Sequence, residues 1–319
     1  MGKKDLGLVA GVDLGGTSIS VGIVDGDGRI RGRHKRKTKA TMGRDAVLDR
    51  IAEAVERACE DAKCGQSDVG AVGIGAPSAI DVEEGIIINA GNLGWKDVPL
   101  RAILEKRFGK RVIVDNDVNA AAWGEARAGA ARSWADILAV WVGTGIGGGL
   151  VLGGELWRGS FHTAGEIGQM VLMPRGGVGR RTLEEHCSRV AMVRAMEALC
   201  GFYPESSITA ALSRREPGEL LGSGVIASAY AEGDELCRRV VDDAAELLGI
   251  AIANAVTLLS VKAVVLGGGV AEALGERYAE RVRESFEAHV FPSTLRKCKF
   301  VPSELGDDAG IVGAALLAR

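Results

Sequence analysis

What this chain lacks narrows its class before any motif is read. None of its apolar stretches runs uncharged for the roughly 20 residues that a membrane-spanning helix requires, so no membrane partner is expected. After Met1 comes Gly-Lys-Lys-Asp and then a short strand-like run. An apolar segment ending in a small-residue cleavage site is missing, so no signal peptide is expected. The cysteines (Cys59, Cys64, Cys187, Cys200, Cys237 and Cys298) are scattered and none pairs as C-x-x-C. That points to a reducing, cytoplasmic setting and to core packing for most of them. An excess of positive charge is also missing. Lys and Arg number 39 against 42 Asp and Glu, whereas a general nucleic-acid binder would be basic, so no nucleic-acid partner is expected.

What is present is an ordinary globular composition, 25% charged and 47% hydrophobic, over 319 residues, more than one core usually organises. Strands are expected over Leu6 to Asp13, Ile19 to Val24, Arg29 to Lys39, Val69 to Ile74 and Arg111 to Asp115, with Asp25-Gly-Asp-Gly28 as a hairpin turn. Apolar residues at helical spacing, Val47, Ile51, Ala54, Val55 and Ala58, predict an amphipathic helix from Arg44 to Lys63. Leu100 to Phe108 and Asn119 to Arg127 also read as helices. The second half repeats the alphabet. Strands are expected at Ile137 to Val142, Gly148 to Leu152 and Ala263 to Leu266, and helices at Leu183 to Leu199, Gly224 to Ala231, Asp234 to Ser260, Leu274 to Ala288 and Ala309 to Ala318. Strands mixed with helices throughout mean an α/β fold. A strand–glycine–strand start in each half predicts duplicated architecture.

Glycine is the outlier, with 46 residues, many in tight clusters. Asp13-Leu-Gly-Gly-Thr17 joins two strands. Gly15 and Gly16 permit a sharp bend, and Thr17 adds a hydroxyl, so the turn can present N–H groups to an anion or serve as a plain hairpin. Walker A spacing is absent, and a strand rather than a helix follows, so neither a P-loop nor a dinucleotide turn applies. Gly143-Thr-Gly-Ile-Gly-Gly-Gly149 repeats that composition through Gly143, Thr144 and Gly145. Gly267, Gly268 and Gly269 follow the strand at Ala263 to Leu266 and would let a flat ring lie against backbone. Three such clusters in order favour a nucleotide site.

Asp13-Leu-Gly-Gly-Thr17, Gly73-Ile-Gly-Ala-Pro77 with Asp81, Asn92-Leu-Gly-Trp95, Asn116-Asp-Val-Asn-Ala120 and Trp123-Gly-Glu125 form one series. The run Gly143 to Gly154, Arg158-Gly, Ala164-Gly-Glu-Ile-Gly168, Leu266-Gly-Gly-Gly-Val270 and Gly306-Asp-Asp-Ala-Gly310 extend it. Over nearly its whole length the chain resembles the ROK family of sugar kinases and sugar-responsive repressors. The resemblance implies a two-lobed actin-like ATPase (ribonuclease H-like) fold with a cleft between the lobes. It places an N-terminal lobe at 1–117 and a C-terminal lobe at 118–304, with a helix over 305–319 crossing back to the first. It implies ATP and Mg2+ as phosphoryl donor and cofactor, a small-molecule sugar as acceptor, and a homodimer. ATP phosphates would lie at the first two glycine turns, adenine at the third, and the sugar beside Asn116 and Asp117.

Asp117 is the expected base. A hydroxyl attacking a γ-phosphate must lose its proton, and a carboxylate within reach can orient it and accept that proton. The plainer role for Asp117 is N-cap of the following helix, and the two are compatible. Asn116 can read a hydroxyl edge with its donor and acceptor. Glu166 and Glu184 resemble sugar-contacting carboxylates. Glu185 competes for the second position, and both Glu184 and Glu185 also suit an exposed helix N-terminus. Asn92, Ser78 and Gln169 complete the expected sugar contacts, and Asp13 would orient the metal's water shell.

The chain departs from its relatives at the structural zinc that most ROK kinases carry. The histidine position is Gln169, and the three cysteine positions are Arg175, Gly177 and Thr182. A tetrahedral site needs its full ligand set, so no zinc is expected; Mg2+ usually keeps several waters and few protein ligands, so no direct metal ligand is named. Because that histidine also lies near the sugar in the family, specificity is open. Glucose is the first expectation, with fructose, mannose, allose and N-acylated amino sugars as alternatives. The basic strand Arg29 to Lys39 reads as a solvated edge strand or as a track for polyphosphate as donor. A sugar-binding regulator is the non-enzymatic alternative. Relatives of that kind carry a DNA-binding segment before the lobes, and with the Asp13 turn so near the start of this sequence none is expected here.

Overall fold

A computed structural model describes residues 7–77, 79–177, 179–216 and 219–319. In chain order the elements are β1 (Leu8–Leu14), β2 (Ser18–Val24), β3 (Ile30–Lys37), α1 (Arg44–Asp61), β4 (Val69–Ala76), β5 (Ala79–Asp81), β6 (Ile86–Ala90) and β7 (Trp95–Val98). Then come α2 (Leu100–Phe108), β8 (Arg111–Asn116), α3 (Asp117–Arg127), β9 (Ile137–Val142), β10 (Ile146–Leu152), β11 (Glu155–Trp157), α4 (Glu184–Cys187), α5 (Arg189–Leu199), α6 (Ser207–Arg214) and α7 (Ser223–Glu232). The chain closes with α8 (Glu235–Leu259), β12 (Ala263–Gly267), α9 (Gly269–His289), β13 (Lys299–Pro302) and α10 (Ala309–Leu317). Among the described residues no helix is long and apolar enough to cross a membrane.

Two five-stranded sheets share one plan. The first runs β3-β2-β1-β4-β8 and the second β11-β10-β9-β12-β13. In the first, β1, β2 and β3 pair antiparallel, while β4 and β8 continue in parallel from β1. In the second, β11 pairs antiparallel to β10, and β12 and β13 run parallel to β9. The duplication expected from the two strand–glycine–strand starts is therefore present in the order of the strands. Central β1 is apolar and buried on both faces, while β3, at the sheet edge, alternates buried and exposed side chains and turns its basic residues outward. Helix α1 buries Val47, Leu48, Ile51, Ala54, Val55, Ala58 and Cys59 as one stripe against β2 and β3.

Two compact units result. One comprises Met1–Ala135, Gly149–Gly165 and Asp307–Arg319; the other comprises Asp136–Gly148 and Glu166–Gly306. The division expected after Asp117 falls instead after Ala135, because α3 packs on α10 and on β4. Helix α10 is almost wholly apolar and lies across β1, β4 and α3. The approach is backbone to backbone. A Cβ on Gly73 of β4 would overlap the carbonyl oxygen of Ala314, and one on Gly313 would overlap the carbonyl oxygen of Ala120 in α3.

Three expectations change. The helix foreseen over Leu183 to Leu199 breaks at Ser188, whose extended backbone and hydroxyl cap α5 by accepting the Ala191 N–H at 3.2 Å. The helix foreseen from Leu274 begins at Gly269 and kinks at Gly275, where φ is 66°. Strand β10 begins at Ile146, so the second glycine turn spans only 143–145. Helix α6 and the three-stranded sheet β5-β6-β7 lacked a readable period, the strands being only three to five residues long.

Gly313→Ala should destabilise the protein by about 1–3 kcal/mol through overpacking, whereas Gly201→Ala, at an exposed glycine with open space around it, should change stability by less than about 0.5 kcal/mol. Denaturant unfolding of the two variants beside the parent checks this; equal effects would refute it.

Candidate active site

In the first unit the sheet register aligns the key positions. Asp13 pairs with Gly75, and Gly75 pairs with Asp115, so the carboxyl ends of three parallel strands finish at one level, where ligands bind in open α/β sheets. Beyond β1 the Gly15-Gly16-Thr17 turn closes with Gly15 N–H donating to the Ser18 carbonyl at 2.9 Å. Thr38, which the sequence reading missed, is fully buried and braces the turn twice. Its N–H donates to the Thr17 carbonyl at 2.8 Å, and its hydroxyl donates to the Gly15 carbonyl at 2.6 Å. Asn92 is brought to the same turn, its Cβ 3.0 Å from where a Cβ of Gly16 would stand. Ser78 lies outside the described residues.

Asp13 is half-buried between this turn and the first turn of α10. Burial raises its pKa to about 6; Lys35 opposes the rise and Asp307 adds to it.

The β8–α3 corner carries Asn116 and Asp117. Asn116, not Asp117, caps α3: its Oδ1 accepts the N–H groups of Val118 at 2.9 Å and Asn119 at 3.1 Å. Asp117 is the first helical residue, and its Oδ1 accepts the Val118 N–H at 2.9 Å. Beneath them Asp115 is wholly buried. One of its oxygens accepts Nε and Nη2 of Arg158 at 2.7 and 2.6 Å. The other accepts the Asn116 N–H at 2.8 Å and Asn119 Nδ2 at 3.2 Å. A buried carboxylate with four donors fixes the corner rigidly. Arg158 stood in the motif series, but no sequence signal tied it to Asp115.

In the second unit the turn at 143–145 closes with Gly143 N–H donating to the Gly145 carbonyl at 2.9 Å. Glu184 reaches this turn, where Oε2 accepts the Ile146 N–H at 2.8 Å and Oε1 accepts Gln169 Nε2 at 3.4 Å. Glu166 is exposed as a residue. Crowding of its carboxyl by surrounding chain, and then the charge of Glu184, push it above the ordinary carboxylate range. The structure thus gathers Glu166, Gln169, Glu184 and Gly145. Glu185 turns elsewhere: its Oε2 accepts the N–H groups of Arg181 at 2.7 Å and Thr182 at 2.9 Å, which hold its carboxyl below the ordinary range. The two glutamates, equivalent in sequence, have different employments.

The third cluster is a strand-to-helix corner. Gly267 ends β12 over the Trp141 ring, Gly268 takes φ 90° against the Val142 backbone, and Gly269 opens α9. The basic strand β3 is largely neutralised at its arginines: Arg31 pairs with Asp25 at 2.6 Å, Arg33 with Asp308 at 3.2 Å, and Arg36 with Glu53. That favours a solvated edge over a polyanion track.

The sequence profile of the ROK family matches residues 9–319. The chain belongs to the ROK family. A glucokinase of Streptomyces coelicolor is 34% identical over 98% of each chain. A solved ROK glucokinase from Streptomyces griseus, in complex with glucose and AMPPNP, is 34% identical, superposes with a TM-score of 0.83 and covers 98% of this chain and 99% of its own. A xylose repressor of Caldicellulosiruptor bescii is 29% identical over 98% of this chain and 78% of that protein. This ROK chain has the actin-like two-lobed ATPase fold of its structural neighbours.

Asp13 binds its proton more readily folded than unfolded, so its charge costs stability in full above about pH 6, and the cost disappears below its unfolded value of 3.8. Asp13→Asn should therefore exceed the parent in stability at pH 8 by up to about 3 kcal/mol. The gap should close as pH falls from about 6 towards 4. Denaturant unfolding across that range tests it, and a gap independent of pH would refute the origin in Asp13.

Proposed function

We infer that this sugar kinase moves the γ-phosphoryl group of ATP onto a hexose hydroxyl, with glucose as the hexose. The observation that carries the reading is the β8–α3 corner. There a buried, fully bonded Asp115 and the Asn116 cap hold the Asp117 carboxylate in the first turn of α3. Asp117 orients the sugar hydroxyl and takes its proton as the oxygen attacks the γ-phosphorus; the bond from that phosphorus to the β-bridging oxygen breaks, and ADP leaves. Glu166 and Glu184 accept hydrogen bonds from further hydroxyls, and Gln169 and Asn92 add contacts. The Glu166 carboxyl, crowded by surrounding chain and by the charge of Glu184, suits a ligand rich in O–H donors. The turns at 15–17 and 143–145 direct N–H groups to phosphates, and the corner at 267–269 accepts the adenine.

The carboxylates near the first turn fit a cation. Asp13 is desolvated and faces Asp307, and positive charge would relieve both strains. Mg2+ would neutralise charge on the phosphate oxygens there, with Asp13 holding its water shell. The four positions where relatives place zinc ligands are Gln169, Arg175, Gly177 and Thr182, a set whose chemistry does not fit zinc.

The identity to curated glucokinases supports glucose. Fructose, mannose, allose and N-acylated amino sugars belong in the same test. An ADP-release assay with ATP and Mg2+ over these sugars should find one that turns over, and Asp117→Asn should lose about 10²–10⁴-fold in kcat while keeping its fold. Glu184→Gln should raise the KM for sugar, whereas Glu185→Gln should not, since its bonds serve the backbone of Arg181 and Thr182. Absence of turnover with every sugar, joined to sugar binding, would favour the regulator reading instead.

A further inference from the structure

Arg189 opens α5, and its backbone N–H donates to the Gly143 carbonyl at 2.9 Å, tying the helix to the second glycine turn. Its guanidinium lies over the same turn, with Nη2 donating to Thr144 Oγ1 at 2.8 Å. Its Nε is buried and has no partner among the described residues. Other arginines of the chain face carboxylates: Arg31 with Asp25, Arg107 with Asp49, Arg158 with Asp115. Arg189 has no such partner among the described residues. Glu184, five residues back, already receives Ile146 and Gln169. The first turn of α5 holds no acidic residue, so the positive end of the helix adds to the charge of the guanidinium. A partly buried cation whose polar neighbours are a hydroxyl and a glycine turn lacks an anion, and a planar fork of this kind matches phosphate oxygens.

We propose that Arg189 contacts the β- and γ-phosphates of a nucleoside triphosphate held at the 143–145 turn, exchanging or sharing its bond to Thr144. This deepens, and rests on, the kinase reading. It makes Arg189 a determinant of affinity for the phosphate chain rather than for the nucleoside or the sugar.

The test is calorimetric binding of MgATP and of AMP at several salt concentrations, with Arg189→Met and Arg189→Lys beside the parent. In R189M the Kd for MgATP should rise about tenfold to a hundredfold while that for AMP changes less than about twofold. The salt dependence of MgATP binding should flatten in R189M and return in R189K, because a lost charge contact removes screening that a mere packing change does not. Should R189M fail to fold, R189Q takes its place. Unchanged MgATP affinity and salt slope, in a protein whose parent phosphorylates a sugar, would overturn the contact and leave the kinase reading intact. Equal losses for MgATP and AMP at an unchanged slope would make Arg189 a brace for the turn and also overturn it. A parent that neither binds nor consumes ATP would remove both readings.

Discussion

The contact on which the first unit depends is the seating of α10 on backbone. Where Gly73 meets Ala314 and Gly313 meets Ala120, no side chain separates helix from strand or helix from helix. Such an approach gathers dispersion contacts closely and leaves little freedom for sliding. Because α3 is held this way, its N-terminus is a fixed point, and Asn116 and Asp117 inherit that rigidity. Gly310, in the first turn of α10, lies against the carboxyl of Asp13, so one helix also sets the surroundings of that carboxylate.

Two carboxylates are held at some energetic disadvantage. Asp13 is desolvated beside Asp307, and Glu166 is crowded beside Glu184. Perturbed carboxylates of this sort cluster at functional sites, because a ligand rather than the protein completes their environment. Asp115 is the opposite case. It is more deeply buried, yet Arg158, Asn119 and a backbone N–H meet both its oxygens, so it serves structure.

Much of the fold was legible because local patterns repeat. The apolar strand before each glycine turn, the stripe of α1 and the small-residue run of α10 carry their periods in the chain itself. Less legible were contacts that join distant residues. Nothing near Thr38 in sequence says that its hydroxyl braces a turn more than twenty residues earlier, and Arg158 lies forty-three residues from Asp115. The break at Ser188 was hidden because residues on both sides favour helix. Only the bond from the Arg189 N–H to Gly143 shows why the chain turns there.

The sequence by itself determined the α/β class, the strand–glycine–strand start in each half and the three glycine clusters, since each rests on residue type and short spacing. Tertiary structure alone decided between neighbours of like chemistry. Asn116 rather than Asp117 became the cap because its side chain accepts two N–H groups of the first turn. Glu184 rather than Glu185 faces the glycine turn because the helix breaks at Ser188 and Glu185 spends its carboxyl on the backbone of Arg181 and Thr182. Side-chain identity sets what a residue can do; the direction in which the backbone delivers it, fixed by packing far along the chain, sets what it does.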